Sequence, residues 1–285
     1  MTTELLPADT AMGAVTLWVA DMDSMIRYYR EGVGLELISQ EGSRAILGFK
    51  ALPIVILEHK PEMRHAGPRE AGLFHTAILF PTEAALAQAV YSVAQKYPHT
   101  FTGSADHLVS KAFYFNDPEN NGVELYWDRD RSEWSWAHGS IEMDTIFLDP
   151  NQFLREHLTE GSVDADKKVG HVHLSVGSIP AAEEFYVSML GFEKTMNWGG
   201  QALFVSAGGY HHHMAMNTWR SKGAGRRQLA LGLGNVQIKL DEMGQIEEVK
   251  ERLDFHDHQA QLSEIDLITE DPWGNRVTLT TTKGN

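Results

Sequence analysis

Apolar and polar residues alternate in short runs along most of the chain. "RAILGF" (44–49), "LPIVILEH" (52–59), "ALFVSAGG" (202–209) and "HHHMAMN" (211–217) have the two-residue period of half-buried strands. Between such runs the apolar spacing widens to that of a helical face. "VADMDSMIRYYREGVGLEL" (19–37) and "VGSIPAAEEFYVSMLGFEK" (176–194) align without gaps, pairing Val19 with Val176, Tyr29 with Tyr186, Gly34 with Gly191 and Glu36 with Glu193. Each predicts a strand end, a turn and an amphipathic helix stopped by glycine.

A second pair of segments repeats in the same way. "HTAILFPTEAALAQAVYSVAQK" (75–96) and "NVQIKLDEMGQIEEVKERL" (235–253) each predict a strand followed by a helix. Both lead to an Asp-Pro-x-x-Asn turn before a last strand, "NDPENNGVELYW" (116–127) and "EDPWGNRVTLTT" (270–281). The expected fold class is α+β, with four βαβββ modules. Modules one and two form a domain over 1–130 and modules three and four one over 167–285. Residues 131–166 break the pattern and link the halves, with one short helix expected after Asp149-Pro150.

Composition narrows the function classes. A net charge of −15 argues against nucleic acid or an anionic membrane as partner. The chain has no cysteine, so any transition metal must be held by His, Asp or Glu, and a cytoplasmic location is expected. No apolar run reaches the length of a spanning helix and no signal peptide is visible. The histidine run "YHHHMAM" (210–216) stands apart. Read as a strand, it points His212 opposite to His211 and His213.

Four βαβββ modules pairing into two cups resemble the vicinal oxygen chelate superfamily of glyoxalases, bleomycin-resistance proteins and extradiol dioxygenases. The resemblance covers nearly the whole chain outside the linker. It implies metal ligands on the first strand of one module and on the first and last strands of its partner, here His171, His75 and Glu124. Two imidazoles and a carboxylate suit Fe(II), with Mn(II) or another divalent metal fitting the same ligands. "DHLVSKAFYFNDPENNGVE" (106–124) is similar to the extradiol dioxygenase pattern, departing from it at Ala105 and Asn120. That likeness implies that His107 and Tyr114 hydrogen-bond a bound aromatic diol, and that His212 is the acid–base catalyst beside dioxygen.

These groups are divided unusually. Module four has Asn235, Gln261, Ile268 and Thr278 where module two has His75, His107, Tyr114 and Glu124, and module one has Ala14 and Val55 where module three has His171 and His212. The expected active cup therefore combines modules two and three, within one chain or across a homodimer. The resemblance is especially to bacterial ring-cleaving catechol 2,3-dioxygenases. Two rivals use the same fold: a glyoxalase-type lyase or isomerase drawing on Glu58, His75 and Glu124, and a drug- or quinone-binding protein without turnover. Trp127, Trp198 and Trp219 are candidate pocket walls, and His173 shares the face of His171.

Overall fold

The computed structural model describes residues 5–160 and 165–281. Module one comprises β1 (Ala11–Val19), α1 (Met22–Arg27), β2 (Glu36–Glu41), β3 (Arg44–Phe49) and β4 (Leu52–His59). Module two follows with β5 (Gly72–Leu79), α2 (Glu83–Lys96), β6 (Phe101–Asp106), β7 (Ser110–Asn116) and β8 (Gly122–Asp128). The connection holds β9 (Trp136–Ala137), β10 (Ser140–Ile141), β11 (Ile146–Phe147) and α3 (Pro150–His157). Module three is β12 (Lys168–Ser175), α4 (Ile179–Glu183), β13 (Glu193–Trp198), β14 (Ala202–Ser206) and β15 (Met214–Asn217). Module four is β16 (Gly232–Leu240), α5 (Met243–Phe255), β17 (Ala260–Leu262), β18 (Asp266–Glu270) and β19 (Arg276–Thr281). The chain is α+β, with the fourfold βαβββ order expected.

Contacts divide it into two units. One holds Leu17–Met63 and His75–Gly170, the other Met1–Thr16, Arg64–Phe74 and His171–Asn285. In the first, β2, β3 and β4 form antiparallel ladders, while β5 runs parallel to β8 and β8, β7 and β6 continue antiparallel. Helix α2 buries Leu86, Val90 and Val93, and Thr82 caps it by accepting from the Ala85 N–H at 3.1 Å. In the second unit β12 runs parallel to β15, followed antiparallel by β14 and β13; β16 runs parallel to β19, followed by β18 and β17.

The connecting segment differs from a plain linker. Its helix α3 starts at Pro150, capped by the Asp149 side chain, as the Asp-Pro pair predicts. It also contributes β11, which extends the sheet by pairing antiparallel with β6. A two-residue strand leaves too short a period to read in sequence. Residues 161–164 of the expected linker lie outside the described residues.

The repeated motifs share one construction. Both first helices open into a π turn, Tyr28–Gly32 and Glu184–Met189, closed by Val33 N–H to Tyr28 O at 3.2 Å and Leu190 N–H to Phe185 O at 2.9 Å. Each turn delivers a fully buried tyrosine to the aspartate of an Asp-Pro-x-x-Asn motif: Tyr29 donates to Asp117 and Tyr186 to Asp271, both at 3.1 Å. Asp117 also accepts from the Glu119 and Asn121 backbones and from Asn121 Nδ2; Asp271 accepts from Trp273 and Asn275 in the same way. The residue before the asparagine is left-handed in both, Asn120 at φ 66° and Gly274 at φ 78°. Asparagine is among the few side chains that adopt this conformation readily, which accounts for Asn120 at a turn position where glycine or proline is usual in the resembling family.

Burial pushes the Asp117 carboxyl up to about 6, against the opposing pull of its Asn121, Glu119 and Tyr29 donors. Because the folded value lies above the unfolded one of about 3.9, this group's contribution to stability is full below that pH and is lost as pH rises through about 6. Tyr29→Phe removes one donor to the ionised form. It should cost about 1.5–3 kcal/mol near pH 7.5, and distinctly less at pH 4.5, in urea unfolding followed by circular dichroism. An equal loss at both pH values contradicts the assignment.

Candidate metal centre and active site

On the parallel pair β5–β8, Ala77 lies opposite Glu124, so His75 stands two residues back on the same face. Its Nε2 is 2.8 Å from Glu124 Oε2, and both side chains are almost fully buried. On the other side of β8, Tyr114 lies directly opposite Glu124. Alternation places Ala77, Ala112 and Tyr126 on this face, where they form a buried cluster against which Tyr114 and Leu79 pack. The carboxylate is thus set into an apolar floor. Burial first, and then the Glu124 charge, hold the Tyr114 hydroxyl well above its ordinary value, so it keeps its proton.

Tyr114 Oη is 2.6 Å from His107 Nε2, while His107 Nδ1 is 2.7 Å from the Asp144 carbonyl. A carbonyl only accepts, so Nδ1 carries the proton, and in neutral His107 the Tyr114 hydroxyl donates to Nε2. Trp127 takes the opposite face of β8 from Glu124 and lies beneath the Lys111 ammonium.

Module four shows what the same scaffold does without charged ligands. Gln237 lies opposite Thr278 and Ile268 opposite Thr278, the registers of Ala77 and Tyr114 against Glu124. In place of the imidazole–carboxylate pair, the Thr278 hydroxyl donates to Asn235 Oδ1 at 2.9 Å. That neutral pair satisfies itself. An imidazole nitrogen and a carboxylate oxygen at 2.8 Å need a proton or a cation between them, because their lone pairs repel.

In the second unit, β12 carries His171 and, two residues along the same face, His173, both buried. The His171 ring lies 4.1 Å from that of His212 and 6.0 Å from that of His211, centroid to centroid. His211 Nδ1 and His212 Nδ1 are 2.7 Å apart, so one donates and the other accepts. This corrects the alternation expected for the run. Strand β15 begins only at Met214, and neighbours in a strand could not bring their rings together. His213 alone turns away: its Nδ1 accepts from the Ala207 N–H at 3.3 Å. His173 is enclosed by Phe74, Trp219 and Phe204, and its Nε2 accepts from Asn217 Nδ2 at 3.0 Å. Phe74 and Asn217 escaped the sequence reading, because neither type carries a chemical signal by itself. Of the three tryptophans singled out, Trp219 stands in this cluster and Trp198 ends β13 partly exposed.

Among the described residues, His75 and Glu124 stand together in the first unit and His171 lies buried in the second, and each carries an atom of a kind that could hold a metal ion. The donors, two imidazoles and a carboxylate, fit a divalent transition metal. Glu58 is not among them; its Oε2 accepts from Trp18 Nε1 at 3.0 Å.

A model of the glyoxalase/bleomycin resistance protein/dioxygenase superfamily matches residues 11–125 and 168–285. The chain belongs to this superfamily. A catechol-2,3-dioxygenase of Bacillus subtilis (strain 168) is 32% identical over 272 residues, covering 93% of this chain and 94% of the relative. Among solved structures, a candidate dioxygenase from Bacillus subtilis has a TM-score of 0.67 at 12% identity, covering 96% of this chain and 86% of that one. Glyoxalase I from Zea mays has a TM-score of 0.55 at 16% identity, covering 96% and 92%. These two likenesses show the superfamily fold. Between the two matched stretches lie residues 126–167, which include the segment 131–166 that breaks the repeat in sequence.

The residue before His171 is Gly170, where a Cβ would come within 1.7 Å of the Tyr126 hydroxyl. Gly170→Ala should therefore lower stability by about 1–3 kcal/mol. Combining it with Tyr126→Phe, which removes the nearest atom, should restore part of the loss. Thermal unfolding of the three variants checks this, and a single variant as stable as the parent contradicts the close approach.

Proposed function

We propose that this protein is a metal-dependent extradiol dioxygenase that cleaves catechol- or hydroquinone-type aromatics with O2, using His75, Glu124 and His171 as ligands and His212, Tyr114 and His107 as catalytic groups. The observation that carries the reading is the buried His75–Glu124 pair with Tyr114, bonded to His107, beside it on the same sheet face. The relative named catechol-2,3-dioxygenase, matched along nearly the whole chain, supports the same reaction class. A bound Fe(II) would supply Lewis acidity toward the diol hydroxyls and redox reactivity toward O2.

The remaining chemistry belongs to the chain's own groups. Tyr114 directs its proton to His107 Nε2, which leaves the phenol oxygen as an acceptor for a substrate hydroxyl. As Tyr114 takes that proton it passes its own to His107, so the diol gains negative charge while the imidazole becomes the cation. Tyr114 then faces the charged oxygen as a donor, and the His107 cation donates to the phenol oxygen behind it, which strengthens that hold. His212, whose ring lies against His171, exchanges a second proton, its Nδ1 steadied by His211. The apolar floor of Ala77, Ala112 and Tyr126 packs against Tyr114 and shields its side of the transfer from water. The glyoxalase alternative draws on Glu58, which the Trp18 indole already engages.

The test is anaerobic loading with Fe(II), addition of catechol, then oxygen, with oxygen uptake and a yellow ring-opened product as readouts. Glu124→Ala should abolish stoichiometric metal in elemental analysis. His212→Ala should retain the metal and lose roughly 10²–10⁴ in turnover. An His212→Ala enzyme at full rate removes His212 from the mechanism, and a parent enzyme loaded with iron but inert to every diol removes the dioxygenase reading.

A further inference from the structure

His107 sits at the tip of the β6–β7 hairpin, a place where a side chain is ordinarily loose. The tip contains Leu108 at φ 69°, a left-handed conformation that leucine adopts only at a cost. Its own ladder adds His107 N–H to Ser110 O at 2.8 Å. Both ends of the segment joining modules two and three supply the rest. At the near end, the Arg129 N–H donates to Val109 O at 2.9 Å, and its guanidinium donates to Asp106 Oδ2 at 2.5 Å. The other Asp106 oxygen accepts from the Leu108 N–H at 2.9 Å. At the far end, β11 pairs Ile146 with Asp106 and Phe147 with Ala105, and Ser104 Oγ donates to Leu148 O at 2.7 Å. Between these anchors the Asp144 carbonyl receives His107 Nδ1.

We infer that residues 129–148 form a strap whose anchors, Asp106 and Arg129, are positioning residues that hold His107 in its Nδ1–H tautomer. The consequence reaches Tyr114. With the Asp144 carbonyl in place, Nε2 must accept, and the phenol oxygen is offered to substrate as an acceptor. Without it the Nε2–H form becomes available, His107 donates to the phenol, and Tyr114 turns its proton outward. The strap thus sets the polarity of the dyad, and the same carbonyl answers the second proton when His107 becomes a cation. The catalytic consequence rests on the dioxygenase reading; the tautomer does not.

The test therefore has two arms. Nitrogen-15 NMR of the metal-free protein should show His107 as the Nδ1–H tautomer, and Asp106→Ala with Arg129→Met should convert it to a mixture. Arg129→Lys, which keeps a cation beside Asp106, should retain the parent spectrum, and Asp106→Asn, which keeps the Leu108 cap, serves if the double variant does not fold. A parent Nε2–H tautomer, or a variant with the strap cut and the parent spectrum, overturns the inference. In iron-loaded protein, cutting the strap should lower kcat about tenfold or more, yet cost less than about twofold in a Tyr114→Phe background, because the strap acts through that hydroxyl. Equal losses in both backgrounds reduce it to general support and overturn the positioning role. If the parent turns over no diol, the dioxygenase reading fails and the tautomer arm still decides.

Discussion

The fold of module two is organised around a charge that must not be left alone. Glu124 lies in a sheet face whose other occupants are Ala77, Ala112 and Tyr126, and a carboxylate there loses its hydration on folding. An uncompensated charge in such a place costs several kcal/mol, of the same order as the whole stability of a domain. His75 stands at 2.8 Å, and the Tyr114 hydroxyl is held protonated by the same burial that penalises Glu124. A proton or a cation shared with His75 is what offsets the cost. Such a pair is costly for a structural feature, and that cost is the physical ground for reading it as a metal ligand pair.

Module four makes the point by contrast. It has the same registers, the same Asp-Pro-x-x-Asn turn and the same buried tyrosine-to-aspartate bond, yet at the ligand positions it carries Asn235 and Thr278 joined by an ordinary hydrogen bond. What the two modules share therefore belongs to folding, and what differs is the set of groups to which the proposed function assigns the chemistry. The π turns and the Tyr29–Asp117 and Tyr186–Asp271 pairs occur once in each half, where each bond ties one βαβββ module to the next in sequence. His75, His107, Tyr114 and Glu124 have no counterparts in module four.

Much of this was legible in sequence, because each legible feature is local. Strands β3 and β4 begin and end where the alternation of "RAILGF" and "LPIVILEH" does. The Asp-Pro-x-x-Asn turn announces a backbone geometry set by its own side chains. The histidine run departs from its sequence pattern for an equally physical reason. Period two is a property of a strand, and the chain before Met214 is a turn entered through Gly208 and Gly209, both with positive φ. Freed from the pleat, His211 and His212 turn toward one another. The pairing of β11 with β6 and the enclosure of His173 by Phe74 and Asn217 depend on distant segments meeting, and no periodicity in a single stretch encodes that.

The Asp144 carbonyl shows most clearly what a residue list omits. A histidine is named by its side chain, but its role as donor or acceptor is decided by whichever group engages its other nitrogen. Here that group is a backbone oxygen, identical in every amino acid and therefore invisible to motif reading. It reaches His107 because a two-residue strand and an arginine–aspartate pair bring residues 129–148 across the hairpin. A segment that breaks the repeat is free of the repeat's packing demands. That freedom lets the connection take over the orientation of a dyad that the modules themselves supply.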